Sequence, residues 1–192
     1  MPRMESHEPD FIVVGDRVAL GALRRDLAAD YARWMNQAAV RDGLNQMGIA
    51  TQQSQEKWVE ENLERGASSE PEVVEFTIYD RADGAPVGTA GLLGILHPHG
   101  IAEFAIYLGE RRGQGLGTEA TRLVLGYAFG VLHLRNVLLE TLAWNAAGIA
   151  AYESAGFRRI GVRRGARISR GRPTDIVLMD AVPADFGASV LR

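Results

Sequence analysis

The sequence predicts a single mixed α/β (α+β) domain, with a mostly antiparallel sheet of about seven strands, one parallel pair within it and about four flanking helices. Three observations carry this expectation. The first half reads as a strand, two helices and a three-strand meander. The second half switches to strand–helix–strand–helix, which requires a parallel connection. The 192 residues, 46% hydrophobic and 23% charged, supply one core without covalent staples.

Residues 1–10 are polar, lack the apolar segment of a secretion signal and are expected to form an N-terminal tail. The domain is expected over residues 11–182, with 183–192 as a C-terminal tail. Val18–Leu23 alternates apolar with polar or small residues and reads as a strand. Asp26 suits the N-cap of a helix to Met35, with Leu27, Tyr31 and Trp34 at helical spacing. Ser54–Arg65 reads as a second helix, capped by Ser54 alone and apolar at Trp58 and Leu63. Val73–Tyr79 and Pro86–Leu96 flank a turn at Arg81–Gly84 whose Asp-Gly corner marks a hairpin. His97–Gly100 then turns the chain into Ile101–Leu108.

Gly109–Gly115 is a turn rich in glycine and arginine, followed by an amphipathic helix over Thr118–Leu132 with Ala120, Leu123, Val124, Tyr127 and Val131 on one face. Val137–Ala143 reads as a buried strand and Ala146–Ser154 as a short helix ended by Gly156. Phe157–Val162 and Asp175–Asp180 read as closing strands.

Composition removes several functions. There is no cysteine, which excludes disulfides, cysteine–zinc sites and thiol nucleophiles. No apolar run approaches the ~20 residues needed to span a bilayer, so no membrane partner is expected and the cytoplasm is the default location. A net charge of -3 gives no reason to expect nucleic acid. His97 and His99 flank a proline without a nearby third ligand, so no metal is expected. Arg158–Arg172 holds seven arginines. They read as the outer face of a solvated strand pair, or as a contact surface for an acidic partner or for cofactor phosphates. Lys57 is the only lysine, which reads as coding bias.

The stretch Leu108–Glu119 carries the chemistry. A strand ends, several glycines follow and a helix starts. Glycine permits positive φ and close approach of a ligand, and the unpaired N–H groups of a helix start bind anions. Arg111 and Arg112 add positive charge. A Walker loop is excluded, because Gln114 stands where its second glycine belongs and no Gly-Lys-Ser/Thr follows. Gly115-Leu-Gly117-Thr-Glu-Ala120 also fits a dinucleotide fingerprint, with Glu140 as the ribose acid, but it begins too late in the chain for a wound sheet.

Arg112-Gly113-Gln114-Gly115-Leu116-Gly117 resembles the pyrophosphate-binding motif of the GNAT superfamily, Gln/Arg-x-x-Gly-x-Gly/Ala, at every position. Downstream, Asn145, Tyr152 seven residues later and the Gly156-Phe157 pair resemble that superfamily's second hallmark. The two motifs cover roughly Ile101–Phe157. Ala102-Glu103-Phe104, Thr118-Glu119-Ala120 and Tyr152–Phe157 are similar to the branch that includes ribosomal-protein N-terminal and spermidine acetyltransferases. Asn36–Thr51 and Arg163–Pro173, the substrate-binding segments, match no motif.

The resemblance implies an acetyl-CoA-dependent N-acetyltransferase with a splayed central strand pair. It implies that Ile106, Tyr107 and Leu108 pair through their backbone with the pantetheine arm, that a backbone N–H near Leu108 meets the developing oxyanion, and that Arg111–Thr118 hold the pyrophosphate. Asn145 would anchor the cofactor or start a helix. Tyr152 would protonate the leaving thiolate, for which a phenol with pKa near ~10 is suited; as an isolated residue it would be a core tyrosine. The base implied is Glu140, partly desolvated on an apolar strand, unless an arginine such as Arg135 or Arg158 holds it in a structural ion pair. Glu103 is the second choice. The partner is a small-molecule or peptide amine, with Asp42, Glu60, Glu61 and Glu64 a weak attraction for a cationic one; a homodimer is left open. The rival readings are a non-catalytic acyl-CoA-binding module and a dinucleotide-dependent oxidoreductase.

Overall fold

A computed structural model describes residues 10–44 and 46–186. The expected tail over 1–10 lies outside them except for Asp10, as do residues 187–192 of the other tail. Strands β1 (Phe11–Val14), β2 (Val18–Ala22), β3 (Val74–Asp80), β4 (Ala85–Leu96) and β5 (Ile101–Leu108) form an antiparallel run. Strand β6 (Asn136–Leu142) joins β5 in parallel, and β7 (Arg158–Ser169) and β8 (Arg172–Ala181) complete the order β1-β2-β3-β4-β5-β6-β8-β7. The expected mixed sheet with one parallel pair is present, with an eighth strand at β1. That strand is a continuous apolar run on the outer edge with three of its four residues exposed, so it gives no alternating signal.

A 3-10 turn (Arg25–Leu27) precedes α1 (Ala28–Met35), α2 (Ala38–Leu44) and α3 (Gln52–Gly66); α4 (Leu116–Gly130), α5 (Ala146–Ala155) and α6 (Pro183–Phe186) follow. Asp26 is not the cap of α1: it sits in the 3-10 turn and pairs with Arg24 at 2.5 Å, and that partner holds its carboxyl below the usual range. Helix α3 starts two residues before Ser54, because Thr51 and Ser54 form a reciprocal capping box, with Ser54 N–H to Thr51 Oγ1 at 3.1 Å and Thr51 N–H to Ser54 Oγ at 2.9 Å. Its buried side is Gln55 and Val59; Leu63 faces solvent, and Trp58 stacks edge-on against Tyr31. Val131 lies past the end of α4 and is exposed.

The sheet is covered on both faces. On one face α4 and α5 bury Leu116, Ala120, Leu123, Val124 and Ile149 against Phe76, Phe104, Val137 and Leu139. Each such leucine, fully buried, contributes roughly 1.5–3 kcal/mol. On the other face α1 and α3 pack through Tyr31, Trp34 and Val59, and the Tyr31 hydroxyl meets Thr77 Oγ1 at 2.5 Å.

The feature that positions the site is a split in the sheet. Strands β5 and β6 pair only at Ile101–Asn136, Ala102–Val137 and Glu103–Leu138. Beyond those rungs β5 stays with β4 as far as Leu108, while β6 stays with β8 as far as Leu142. A seam therefore opens between the C-terminal halves of two parallel strands.

Candidate functional site

The glycine turn lies at the end of β5. Gly113 and Gly115 take φ of 77° and 84°, which L side chains rarely adopt, and Gly115 is the left-handed N-cap of α4. No amide from Arg111 through Thr118 donates a hydrogen bond of ordinary geometry to an acceptor among the described residues. A Cβ on Gly113 would meet nothing within 4 Å, and one on Gly115 only the Arg17 guanidinium at 3.4 Å. Successive free amides at a helix start, with open space before them, form an anion cradle.

Neighbouring elements hold this cradle in shape. The Trp34 ring of α1 lies against Gly109, and its indole N–H donates to Glu110 at 3.0 Å. Gln37 donates to the Gly109 carbonyl at 3.0 Å and accepts from Arg112. From the β1–β2 turn, Arg17 donates to the Gln114 carbonyl at 2.8 Å, while Glu119 receives the Arg17 and Val18 amides.

The two arginines expected to add charge are placed differently. Arg112 donates through Nε to the Leu108 carbonyl at 2.6 Å, so it stays beside the cradle. Arg111 is turned to Asp80 at 2.5 Å and Asp83 at 2.6 Å, so its charge is offset by two carboxylates. Leu116 is buried under the turn, and the Gly117 carbonyl accepts from Thr121 at 2.7 Å.

Along the seam, Ile106, Tyr107 and Leu108 pair with Ala90, Thr89 and Gly88 on one side and face the gap on the other. Tyr152 of α5 packs against Phe104 and Phe157 with ring centroids 6.3 and 6.2 Å away, on the α4 face of the sheet. Burial pushes its phenol up to about 12, so it is a protonated hydroxyl at neutral pH. Asn145 caps α5, accepting from Gly148 at 3.1 Å and donating to Thr141 Oγ1 at 3.1 Å.

Glu103 and Glu140 occupy the opposite face, because the alternate residues of their strands enter the α4-side core. Burial first, then the charge of Glu140, holds the Glu103 carboxyl above its ordinary range, while Arg167 acts in the other direction. Glu140 pairs with Arg163 at 3.0 Å, neither of the arginines named from sequence. It lines a cavity of ≈ 810 Å³ between α2 and the β7–β8 hairpin. Pockets of roughly 300–1,000 Å³ suit small molecules.

Arg41 and Asp42 of α2, with Arg167 of β7 and Arg170 at the hairpin turn, also line this cavity. These residues lie in Asn36–Thr51 and Arg163–Pro173, the two segments expected to bind substrate; with no motif in either, the sequence did not single out the residues that meet. Arg170 pairs with Asp42 at 2.9 Å and lies 4.6 Å over the Trp144 ring.

Other expectations resolve plainly. The dinucleotide reading needs a wound parallel sheet and Glu140 beside the turn; this sheet is mostly antiparallel, and Glu140 lies on the face away from α4. His97 contacts the Pro71 carbonyl at 2.9 Å. Among the described residues no three acidic or histidine side chains form a metal site, and no helix is long and apolar enough to cross a membrane.

The family model described as "Acetyltransferase (GNAT) domain" matches residues 17–158. The Bacillus subtilis protein named "Probable N-acetyltransferase YjcK" is 31% identical over 116 residues, which is 59% of this chain and 63% of that protein. The spermidine N(1)-acetyltransferase of Escherichia coli K12 is 38% identical over 76 residues, 39% of this chain and 41% of that one. Each match thus spans less than two thirds of the relative's length. Among solved structures, the spermidine N-acetyltransferase of Vibrio cholerae in complex with CoA and spermine has a TM-score of 0.80 at 21% identity, covering 90% of this chain and 99% of that one. Mycobacterium smegmatis RimJ in complex with CoA-disulfide has a TM-score of 0.79 at 19% identity, covering 90% and 85%. At these identities the structures show the shared fold.

Proposed function

The chain belongs to the GNAT acetyltransferase family, and on that footing we propose that it moves an acetyl group from acetyl-CoA to a primary amine by direct attack. The observation that carries this reading is the run of amides from Arg111 through Thr118 that donate no hydrogen bond of ordinary geometry among the described residues, set beside the open β5–β6 seam. Those amides, with Arg112, hold the cosubstrate's pyrophosphate. Bound acetyl-CoA supplies a thioester carbonyl, the electrophile of the reaction.

The chain's own groups do the rest. The seam edge of Ile106, Tyr107 and Leu108 aligns the pantetheine arm, and an amide near Leu108 donates to the carbonyl oxygen as negative charge develops. The amine enters from the cavity on the Glu140 side. Glu140, oriented by Arg163, takes its proton directly or through water, and Glu103 lies on the neighbouring strand. Tyr152, packed on the opposite face beside Phe104, gives its proton to the departing thiolate. Acid and base therefore stand on opposite sides of the sheet, with the reacting atoms between them.

Acetyl-CoA, incubated with the protein and a panel of amines, tests the proposal through free-thiol release and the mass of the product. Acetyl-CoA should raise the melting temperature while NAD leaves it unchanged. Binding of acetyl-CoA without thiol release from any amine would make the chain a binding module instead.

A further inference from the structure

The cavity behind Glu140 has the wrong charge for a polyamine. Four arginines, Arg41, Arg163, Arg167 and Arg170, face two carboxylates, Asp42 and Glu140. Both carboxylates are already engaged, Glu140 by Arg163 and Asp42 by Arg170. Arg41 donates to the Met47 carbonyl at 3.2 Å and has no ion pair among the described residues. Arg167 is half-buried, and its side chain has neither an ion pair nor a hydrogen bond among the described residues. A guanidinium fork that faces a cavity of this size with no ion pair of its own suits an anion.

We propose that the acceptor amine carries its own carboxylate, received by Arg167 with Arg41 beside it, while the ammonium end is drawn to Glu140 and Glu103 at the seam. This rests on the acetyl transfer proposed above and names the class of its acceptor. A planar carboxylate matches the guanidinium fork with two parallel hydrogen bonds and offsets the acceptor's own ammonium charge. A polyamine would bring two or three positive charges against four arginines. A free amino acid and a peptide with an acidic residue next to its N-terminal residue share the required chemistry.

The test presents L-glutamate, a short peptide beginning Ser-Asp, and spermidine, each with acetyl-CoA, and reads acetylated product by mass spectrometry. At least one carboxylate-bearing acceptor should show a kcat/KM tenfold or more above that of spermidine. Preference for glutamate assigns a free amino acid, and preference for the peptide assigns a protein N-terminus. Arg167→Gln should raise KM for the favoured acceptor about 10–100-fold, as loss of one charge-assisted pair does, with kcat and the acetyl-CoA thermal shift little changed. Preference for spermidine, or an unchanged KM in that variant, overturns this proposal while the acetyl transfer stands. Failure to acetylate any acceptor while acetyl-CoA binds removes the acetyl transfer itself and this inference with it.

Discussion

Trp34 and Gly109 are in direct contact: the indole occupies the space that a Cβ on residue 109 would need. The end of α1 thus sets where the glycine turn begins, although the two residues are 75 positions apart in the sequence.

Gly109→Ala forces the ring or the turn to move. Overpacking of this kind costs about 1–3 kcal/mol, and each kcal/mol lowers Tm by roughly 2–4 °C in a chain of this size. Calorimetry should show the lower Tm, and titration with CoA a weaker affinity. An unchanged melting curve would mean that the contact is not rigid.

Gly115→Ala acts at the cradle itself. The residue keeps φ near 84° only at a cost of ~1–2 kcal/mol, and its methyl stands where the anion approaches. CoA affinity should fall about tenfold by isothermal titration, with far-ultraviolet circular dichroism preserved. Full affinity would place the phosphate elsewhere.

For Tyr152→Phe the expected loss is in kcat, by roughly 10²–10⁴, the usual contribution of a positioned general acid. CoA should bind as before. Because burial lifts the phenol to about 12, Tyr152 should add no alkaline limb to the rate profile below pH 10. A variant that turns over normally has lost no proton donor.

The two carboxylates separate by their variants. Glu140→Gln should cut kcat by about 10²–10⁴ if Glu140 removes the proton, and Glu103→Gln by much less. Since the charge of Glu140 helps hold the Glu103 carboxyl up, Glu140→Gln should also lower the Glu103 pKa, measurable by carbon-13 titration. The reverse ranking of rates would make Glu103 the base.

Glu75 of β3 borders a second cavity, of ≈ 440 Å³, beneath Trp58 of α3. Burial pushes its carboxyl up to about 8 from an ordinary 4.5. A raised folded-state pKa leaves stability intact below the unfolded value near 4.5, and that stability is lost as pH rises through about 8. Glu75→Gln should therefore melt above the wild type at pH 9 and level with it near pH 4. A constant difference between the two would mean that the carboxyl is not the cause.

Much of this was legible in the sequence where a local rule fixes the structure. Gly113, Gly115 and Gly156 are needed for left-handed backbone, and all three have it. Ile101–Leu108, expected as the strand after the His97–Gly100 turn, is a strand with those bounds. What escaped depends on long-range packing. The strand β1 and the helix α2 bury only Val13 and Val40, too little to impose a period. Arg111 reads as a phosphate ligand until Asp80 and Asp83, about thirty residues earlier, are folded beside it. The arginines of β7 read as solvated until α2 supplies the facing wall of a cavity.

The parts that would grip the acyl donor come from α1, β5 and α4, whereas α2 and the β7–β8 hairpin would enclose the acceptor. Mutations that reshape the hairpin can therefore accumulate without disturbing the donor grip. Descendants of such a chain are free to exchange one amine for another while inheriting the same reaction, so divergence within the lineage should be written first into residues 38–47 and 163–173.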